Sequence, residues 1–523
     1  MGMFSSIKKN KEVVFVIMFI MGVCLFWGVK KADFFCDELY TFGLSNGYFT
    51  PFISDVTGGD MAWKEYSGGD FWDYLTVGKD DRFAYDSVIY NQSKDVHPPL
   101  HYMILHTLCS FFPGFFSKWL GLIPNMIFYI FTLVALYQLN LSIFGKKKYG
   151  IASVVLYGLG IGGITTVMMI RMYMLMTMLT VFLALIAVKL VNSTKGIILN
   201  YFCLAIILFL GVMTQYFFVF YAFFLCAFLV IDLFFEKRYL DVVRSILSAV
   251  CGALAFAAFY FTNLNNATNQ GKGGESFGNL FRVSNLIKTA KITKEVVKYF
   301  PIATILLTLV IVLLVIGIPK IRKKFRFENE DKLAFLVIMP AVIAFMLITM
   351  AIEILDLRYV YSLIPVLLCL FTWLWAIYDR AIGEINLKMP MVILIMLASI
   401  VVMAWTNPKW VYAPNEGKYD VLRELDDSEC IYLTDNNSTA PRATQDICQL
   451  AEFDNVFFVD NLEDERIEAF IDGKAGKEFV LYLKRGERAE DDIIAEKFEN
   501  NYGFANCSLL YTTDWSRVYR LSY

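Results

Sequence analysis

Two adjacent carboxylates, Asp37 and Glu38, stand a few residues past the first membrane-length apolar run, and His97-Pro98-Pro99-Leu100 follows later in the same polar segment. Carboxylates in that position suit proton transfer at a membrane surface, one taking a proton from an attacking hydroxyl while its neighbour orients a substrate. The plainer reading is that the pair caps a helix end at the interface. Arg171 separates two apolar stretches, and a cation drawn into the bilayer core costs about 2.5 to 3.5 kcal/mol. It therefore either serves an anion or snorkels to lipid phosphate. Arg358, in Asp356-Leu357-Arg358-Tyr359, has the same character, with Asp356 the partner that would neutralise it. Gln215 interrupts an apolar stretch as Thr214-Gln215-Tyr216, which reads either as a substrate contact or as a hydrogen bond between helices of a bundle.

All three histidines fall close together, at 97, 101 and 106. His97 and His101, four residues apart, could share a face and join Glu38 around a divalent cation. Against this, His97 precedes two prolines and is expected to lie outside the helix, and His106 points roughly 140° away from His101 at helical pitch. The other reading of His97 is a hydrogen-bonding loop residue near a phosphate or the acidic pair. Most of the ten cysteines sit in apolar runs and read as packing residues, which leaves one disulfide open among Cys430, Cys448 and Cys507.

These residues need a scaffold, and composition identifies it. The chain is 57% hydrophobic and only 18% charged, the balance of a polytopic membrane protein. The net charge of -2 carries no nucleic-acid footprint. Runs long enough to span cover residues 13–29, 118–144, 150–170, 172–191, 197–213, 216–235, 245–263, 301–318, 333–352, 359–378 and 390–406, which predicts eleven transmembrane helices. The first follows Lys8, Lys9 and Lys11 and has no small-residue cleavage site, so it reads as an uncleaved span with a cytoplasmic N-terminus. Residues 98–112 are the ambiguous case. If they crossed, Lys146-Lys147-Lys148, Lys237-Arg238 and the basic cluster at 320–324 would be misplaced outside, whereas an interfacial helix puts all of them in the cytoplasm. With that topology the first outer loop (31–117), a second large loop (264–300) and everything after 406 share the extracytoplasmic face.

The tail from 407 to 523 is charged and alternates short apolar strands (430–434, 456–459, 479–483) with amphipathic stretches (444–453, 465–471, 491–500), ending in a hairpin turned at Thr513-Asp514-Trp515-Ser516. That rhythm predicts a small α/β domain with a parallel sheet. No glycine fingerprint opens any of its helices, so docking or acceptor recognition suits it better than catalysis. The expected division is a transmembrane catalytic module over 1–406 and an extracytoplasmic α/β domain over 407–523.

Taken together, the landmarks resemble the GT-C superfamily of integral membrane glycosyltransferases, in particular its protein O-mannosyltransferase and aminoarabinose transferase branch. Asp37-Glu38 looks like that family's acidic pair after the first span, and Val96-His97-Pro98-Pro99-Leu100-His101-Tyr102 looks like its His-Pro-Pro-Leu-Tyr-Tyr segment. Arg171-Met172-Tyr173 resembles its arginine after the third span, residues 211–217 resemble a segment where relatives carry His before Tyr, and Arg358-Tyr359 with Pro365 resembles its late Arg-Tyr motif. Gln215 departs from the pattern, which leaves no acid-base group there. The resemblance covers residues 10–410, and the tail matches no family known to us.

The resemblance implies a transferase that moves a sugar from a polyprenyl-phosphate donor to an acceptor hydroxyl with inversion, Asp37 being the general base and Glu38 its orienting neighbour. Arg171, Arg358 and Tyr359 would bind the donor phosphate, and His97, Tyr102, Tyr173, Gln215 and Tyr216 would contact substrate. No cofactor is required, with a divalent cation on Glu38, His97 and His101 as the alternative. Partners would be the lipid-linked donor, a lipid, protein or envelope-polymer acceptor and the surrounding membrane lipids of a bacterial plasma membrane, with no nucleic acid. The rival functions are a lipid-linked sugar flippase, which would want charges at the bilayer midplane and repeat symmetry, and a non-catalytic scaffold displaying the tail.

Overall fold

The computed structural model describes residues 10–57, 60–193, 197–269, 278–280, 282–297, 327–382, 407–412, 418–425, 428–434, 439–474 and 476–523. The expected spans at 301–318 and 390–406, the basic cluster at 320–324, Lys8 and Lys9, and part of the 264–300 loop lie outside the described residues. Two compact units emerge, one built from residues 1–29, 96–101 and 121–409, the other from 30–95, 102–120 and 410–523.

The first unit is helical. Among the described residues seven helices are long and apolar enough to cross a membrane: Lys11–Lys30, Lys118–Phe144, Tyr173–Asn192, Phe218–Phe235, Tyr239–Tyr260, Asn329–Ala351 and Leu357–Arg380. At 1.5 Å per residue, 20 residues already reach the roughly 30 Å of a hydrocarbon core. The chain is therefore a multi-pass integral membrane protein. A shorter apolar helix covers Ile198–Thr214. The run expected as one span at 150–170 is instead two helices, Lys147–Gly158 and Ile161–Met168, bent by 55°. Gly158 and Gly160 weaken the helix at the bend, and the Tyr129 hydroxyl donates to the carbonyls of Gly158 (3.0 Å) and Tyr157 (3.3 Å), satisfying groups that the break sets free.

The helix expected at 98–112 is Leu100–Ser110. Its 11 residues reach about 16 Å, half the hydrocarbon core, so it is too short to cross. Both of its histidines, His101 and His106, are buried, which a helix lying on the bilayer by its polar side does not call for.

The second unit is built on a six-stranded mixed sheet: β1 Lys64–Ser67, β2 Glu429–Leu433, β3 Asn455–Val459, β4 Phe479–Lys484, β5 Asn506–Thr512 and β6 Ser516–Ser522, in the order β1-β3-β2-β4-β6-β5. The β3-β2-β4 centre is parallel, as expected for the tail, and the closing β5-β6 hairpin is antiparallel as expected; β1 and β6 flank the centre in antiparallel pairing. The helices Thr439–Leu450 and Glu465–Asp472 cross between the parallel strands, and Arg488–Tyr502 precedes the hairpin. Ile431, Val459, Phe479, Leu481 and Leu521 fill one face of the sheet.

Strand β1 belongs to the first loop, outside the 407–523 domain drawn from sequence, and it pairs Tyr66 with Val456. The Ser67-Gly68-Gly69-Asp70 turn then starts a helix, with Ser67 and Asp70 capping each other. A side chain at Gly68 would collide with the Phe453 carbonyl, so glycine is required where this loop meets the sheet domain. Cys430, Cys448 and Cys507 are thiols, with no disulfide among them.

Candidate active site

In the second unit the acidic pair opens the helix Cys36–Asn46. Phe35 is its N-cap and Glu38 its third residue; the Glu38 carboxylate accepts the Phe35 amide at 2.7 Å, filling one donor orphaned at the helix start. The same carboxylate accepts Lys31 Nζ at 3.0 Å, with both side chains fully buried. Lys31 Nζ also donates to the Trp410 carbonyl at 2.5 Å. Burial pulls the Lys31 ammonium below its ordinary range, and Glu38 works against that pull.

The segment leading into the helix is held by the tail. Ala32 N–H donates to the Val411 carbonyl (2.8 Å), Gln445 Nε2 to the Phe34 carbonyl (2.7 Å), and the Phe35 ring lies 4.9 Å from Trp410. Every residue of Cys36–Asn46 is buried except Asp37 and Tyr40. The two carboxylates thus part company: Glu38 is committed to Lys31 and the helix cap, and Asp37 is the acidic side chain this helix leaves partly open.

Glu38 is correspondingly removed from the ligand set of the metal reading. Among the described residues no group of three or more His, Cys, Asp or Glu side chains is placed to hold a metal ion. Tyr102 is also placed differently from a substrate contact, being fully buried with Leu44 and Val88 beneath Tyr40.

In the first unit the other landmarks converge where helices break. Arg171 sits in the turn between Ile161–Met168 and Tyr173–Asn192, its amide donating to the Met169 carbonyl at 2.8 Å. Asn125 Nδ2 donates to the carbonyls of Val167 (3.1 Å) and Met169 (2.7 Å), pinning that turn. The Arg171 guanidinium is buried and lies 3.4 Å from His97 Nε2. His101 is buried beside it, and burial, with the Arg171 charge adding to it, pushes the imidazole down to about 3.

Arg358 heads the short helix Leu357–Leu363. Asp356 caps it by accepting the Arg358 amide (3.0 Å) and pairs with Lys409 (3.2 Å), so the neutralising partner expected from sequence is engaged by the backbone and by a different cation. The Arg358 guanidinium lies over the Tyr359 ring at 5.2 Å and reaches its hydroxyl at 3.4 Å. Tyr359 meets Tyr173 (6.4 Å) and Phe217 (5.6 Å) edge to face.

The Arg171-Met172-Tyr173, 215–217 and Arg358-Tyr359 segments are therefore neighbours in this unit. Gln215 is buried in the break between Ile197–Thr214 and Phe218–Phe235, and its side-chain oxygen accepts the Tyr216 amide at 2.7 Å. That is a local cap, a third option beside the two read from sequence. Tyr216 itself packs against Phe256 at 6.3 Å.

Sequence reading passed over Lys31, Tyr40 and Asn125. Lys31 carried a signal, a lysine close before two carboxylates, and Asn125 was a polar residue within an apolar run; Tyr40 carried none.

No family profile and no curated protein matches the chain. Among solved structures it is similar to ArnT from Cupriavidus metallidurans in the apo state, at 10% identity over 98% of each chain with a TM-score of 0.48. It is also similar to that ArnT bound to undecaprenyl phosphate, at 10% identity over 96% of this chain and 97% of that one with a TM-score of 0.45. A third likeness is to the oligosaccharyltransferase AglB from Archaeoglobus fulgidus in complex with an inhibitory peptide and a dolichol-phosphate, at 11% identity over 89% of this chain and 69% of that one with a TM-score of 0.38.

Proposed function

We propose that the chain is a membrane glycosyltransferase that moves a sugar from a polyprenyl-phosphate carrier to an acceptor hydroxyl on the extracytoplasmic face, with inversion. The observation that carries this reading is the separation of roles in the acidic pair: Glu38 is buried in an ion pair, while Asp37 is left partly open on the same first turn. A general base has to reach its proton, and of the two only Asp37 meets that condition.

In the proposed reaction Asp37 takes the proton of the acceptor hydroxyl as its oxygen bonds to the anomeric carbon. The bond from that carbon to the phosphate oxygen breaks, and its electron pair leaves on the lipid phosphate. Arg171 and Arg358 counter the charge that develops there, and Tyr359, which lies against the Arg358 guanidinium, steadies it. His97 is the partner of Arg171 in this scheme, and Tyr173 supports Tyr359. The sequence resemblance to GT-C enzymes supports the same assignment.

The test is the purified chain in liposomes with a radiolabelled polyprenyl-phosphate sugar. Asp37→Asn should lower transfer by about 10²- to 10⁴-fold with the unfolding midpoint unchanged. Wild-type turnover by that variant defeats the assignment, and translocation without transfer makes the chain a flippase.

A further inference from the structure

The Cys36–Asn46 helix leaves two side chains out of its buried surface, Asp37 and Tyr40. They are three residues apart, which puts them side by side on one face of the helix. A second partly open polar side chain beside a base has a use when the base must meet its substrate in one orientation.

The surroundings of Tyr40 fit such a use. Its ring is held by Leu44, Val88 and Tyr102 beneath it and by Phe52 edge-on at 6.1 Å, so its direction is fixed. The tail helix Thr439–Leu450 packs against Cys36–Asn46, and its Gln445 holds the Phe34 carbonyl ahead of Asp37. Burial, chiefly, raises the Tyr40 phenol to about 12, so at neutral pH it keeps its proton and is a donor.

We propose that Tyr40 is an acceptor-binding residue: its hydroxyl donates a hydrogen bond to the acceptor next to the group that Asp37 deprotonates. The acceptor class is a polyhydroxylated or carbonyl-bearing molecule, one with a second oxygen beside the reacting hydroxyl. The proposal rests on the glycosyltransferase reading and adds to it the side of the site that meets the acceptor.

The experiment compares wild type, Tyr40→Phe and Asp37→Asn in liposomes, with radiolabelled polyprenyl-phosphate sugar as donor and the envelope fraction of cells lacking this chain as acceptor. Tyr40→Phe keeps the packed ring, so folding is preserved and is checked by the unfolding midpoint. Loss of one neutral hydrogen bond is expected to raise the half-saturating amount of acceptor about 5- to 10-fold, with the donor KM and the rate at saturating acceptor within twofold of wild type. Unchanged acceptor saturation in Tyr40→Phe overturns the proposal while leaving the Asp37 reading intact. Transfer that Asp37→Asn does not reduce defeats that reading, and this proposal with it.

Discussion

In the helical unit the charged side chains sit where helices break: Arg171 in a turn pinned by Asn125, and Arg358 on a short helix capped by Asp356. In the mixed unit the acidic pair rides an intact helix whose approach is fixed by a backbone bond from Ala32 to Val411 and by the Gln445 side-chain amide on the Phe34 carbonyl. The two arrangements follow from how each unit satisfies its backbone. A membrane-spanning bundle satisfies most of its backbone within each helix, so a polar side chain is aimed by interrupting a helix and recapturing the freed groups, carbonyls with Asn125 and Tyr129 and an amide with Gln215. A mixed sheet unit has strands, loops and crossover helices to spare, and it can clamp a helix from outside. The buried guanidinium groups of Arg171 and Arg358 thus fall to the first unit and the partly open Asp37 to the second.

The comparison breaks most visibly at Lys31. If the mixed unit works as a clamp, the buried Lys31–Glu38 pair is part of it, and removing one partner leaves a buried charge uncompensated. Lys31→Met should cost about 3 to 5 kcal/mol, read as a lower unfolding midpoint in detergent. Adding Glu38→Leu to Lys31→Met should recover most of that loss, because an apolar pair no longer strands a charge. A single variant that unfolds like wild type would mean that the backbone contacts alone carry the clamp.

The helical side of the comparison is sharpened by Arg171. Truncation to Ala should lower transfer about 10²-fold, as loss of one donor to a developing anion does, with a smaller effect on unfolding. Arg171→Lys should recover only part of the rate, since an ammonium lacks the planar fork that meets a phosphate with two bonds. An equal loss of rate and stability in both variants would place Arg171 in packing rather than in phosphate binding.

Much of this layout could be read from sequence because it depends on local pattern. Within the described residues the long apolar runs are helices, and the alternation of the tail became β2, β3 and β4 with their crossover helices and a closing hairpin. What escaped depends on partners distant in the chain. Strand β1 is the four residues Lys64–Ser67, too short and polar to announce itself, and it is a strand only because β3 offers an edge. That Glu38 is buried against Lys31, which also holds the Trp410 carbonyl, while Asp37 stays partly open could not be read from the adjacent pair. Tyr102 sat in the most recognisable motif of the loop, yet its helix turns it into a core with Leu44 and Val88. The bend at Gly158 and Gly160 was hidden by a run whose hydropathy never falls, since glycine breaks a helix without adding polarity.

The smallest of the expected effects concerns acid. His101 is buried beside Arg171 and its imidazole is held down to about 3, first by burial and then by that charge, against about 6.5 in an unfolded chain. Above pH 6.5 the residue is neutral in both states and adds no slope. Below it the unfolded chain binds a proton that the folded chain refuses, so stability falls with falling pH across the window from about 6.5 to about 3. By pH 5 the loss from this residue should approach about 2 kcal/mol, seen as a drop in unfolding midpoint between pH 7 and pH 5. His101→Leu should flatten that part of the profile while leaving the Lys31–Glu38 contribution in place. Because His101 belongs to the helical unit and the ion pair to the mixed one, a slope that persists in His101→Leu and disappears in the Lys31→Met, Glu38→Leu double variant would move the acid sensitivity from the first unit to the second.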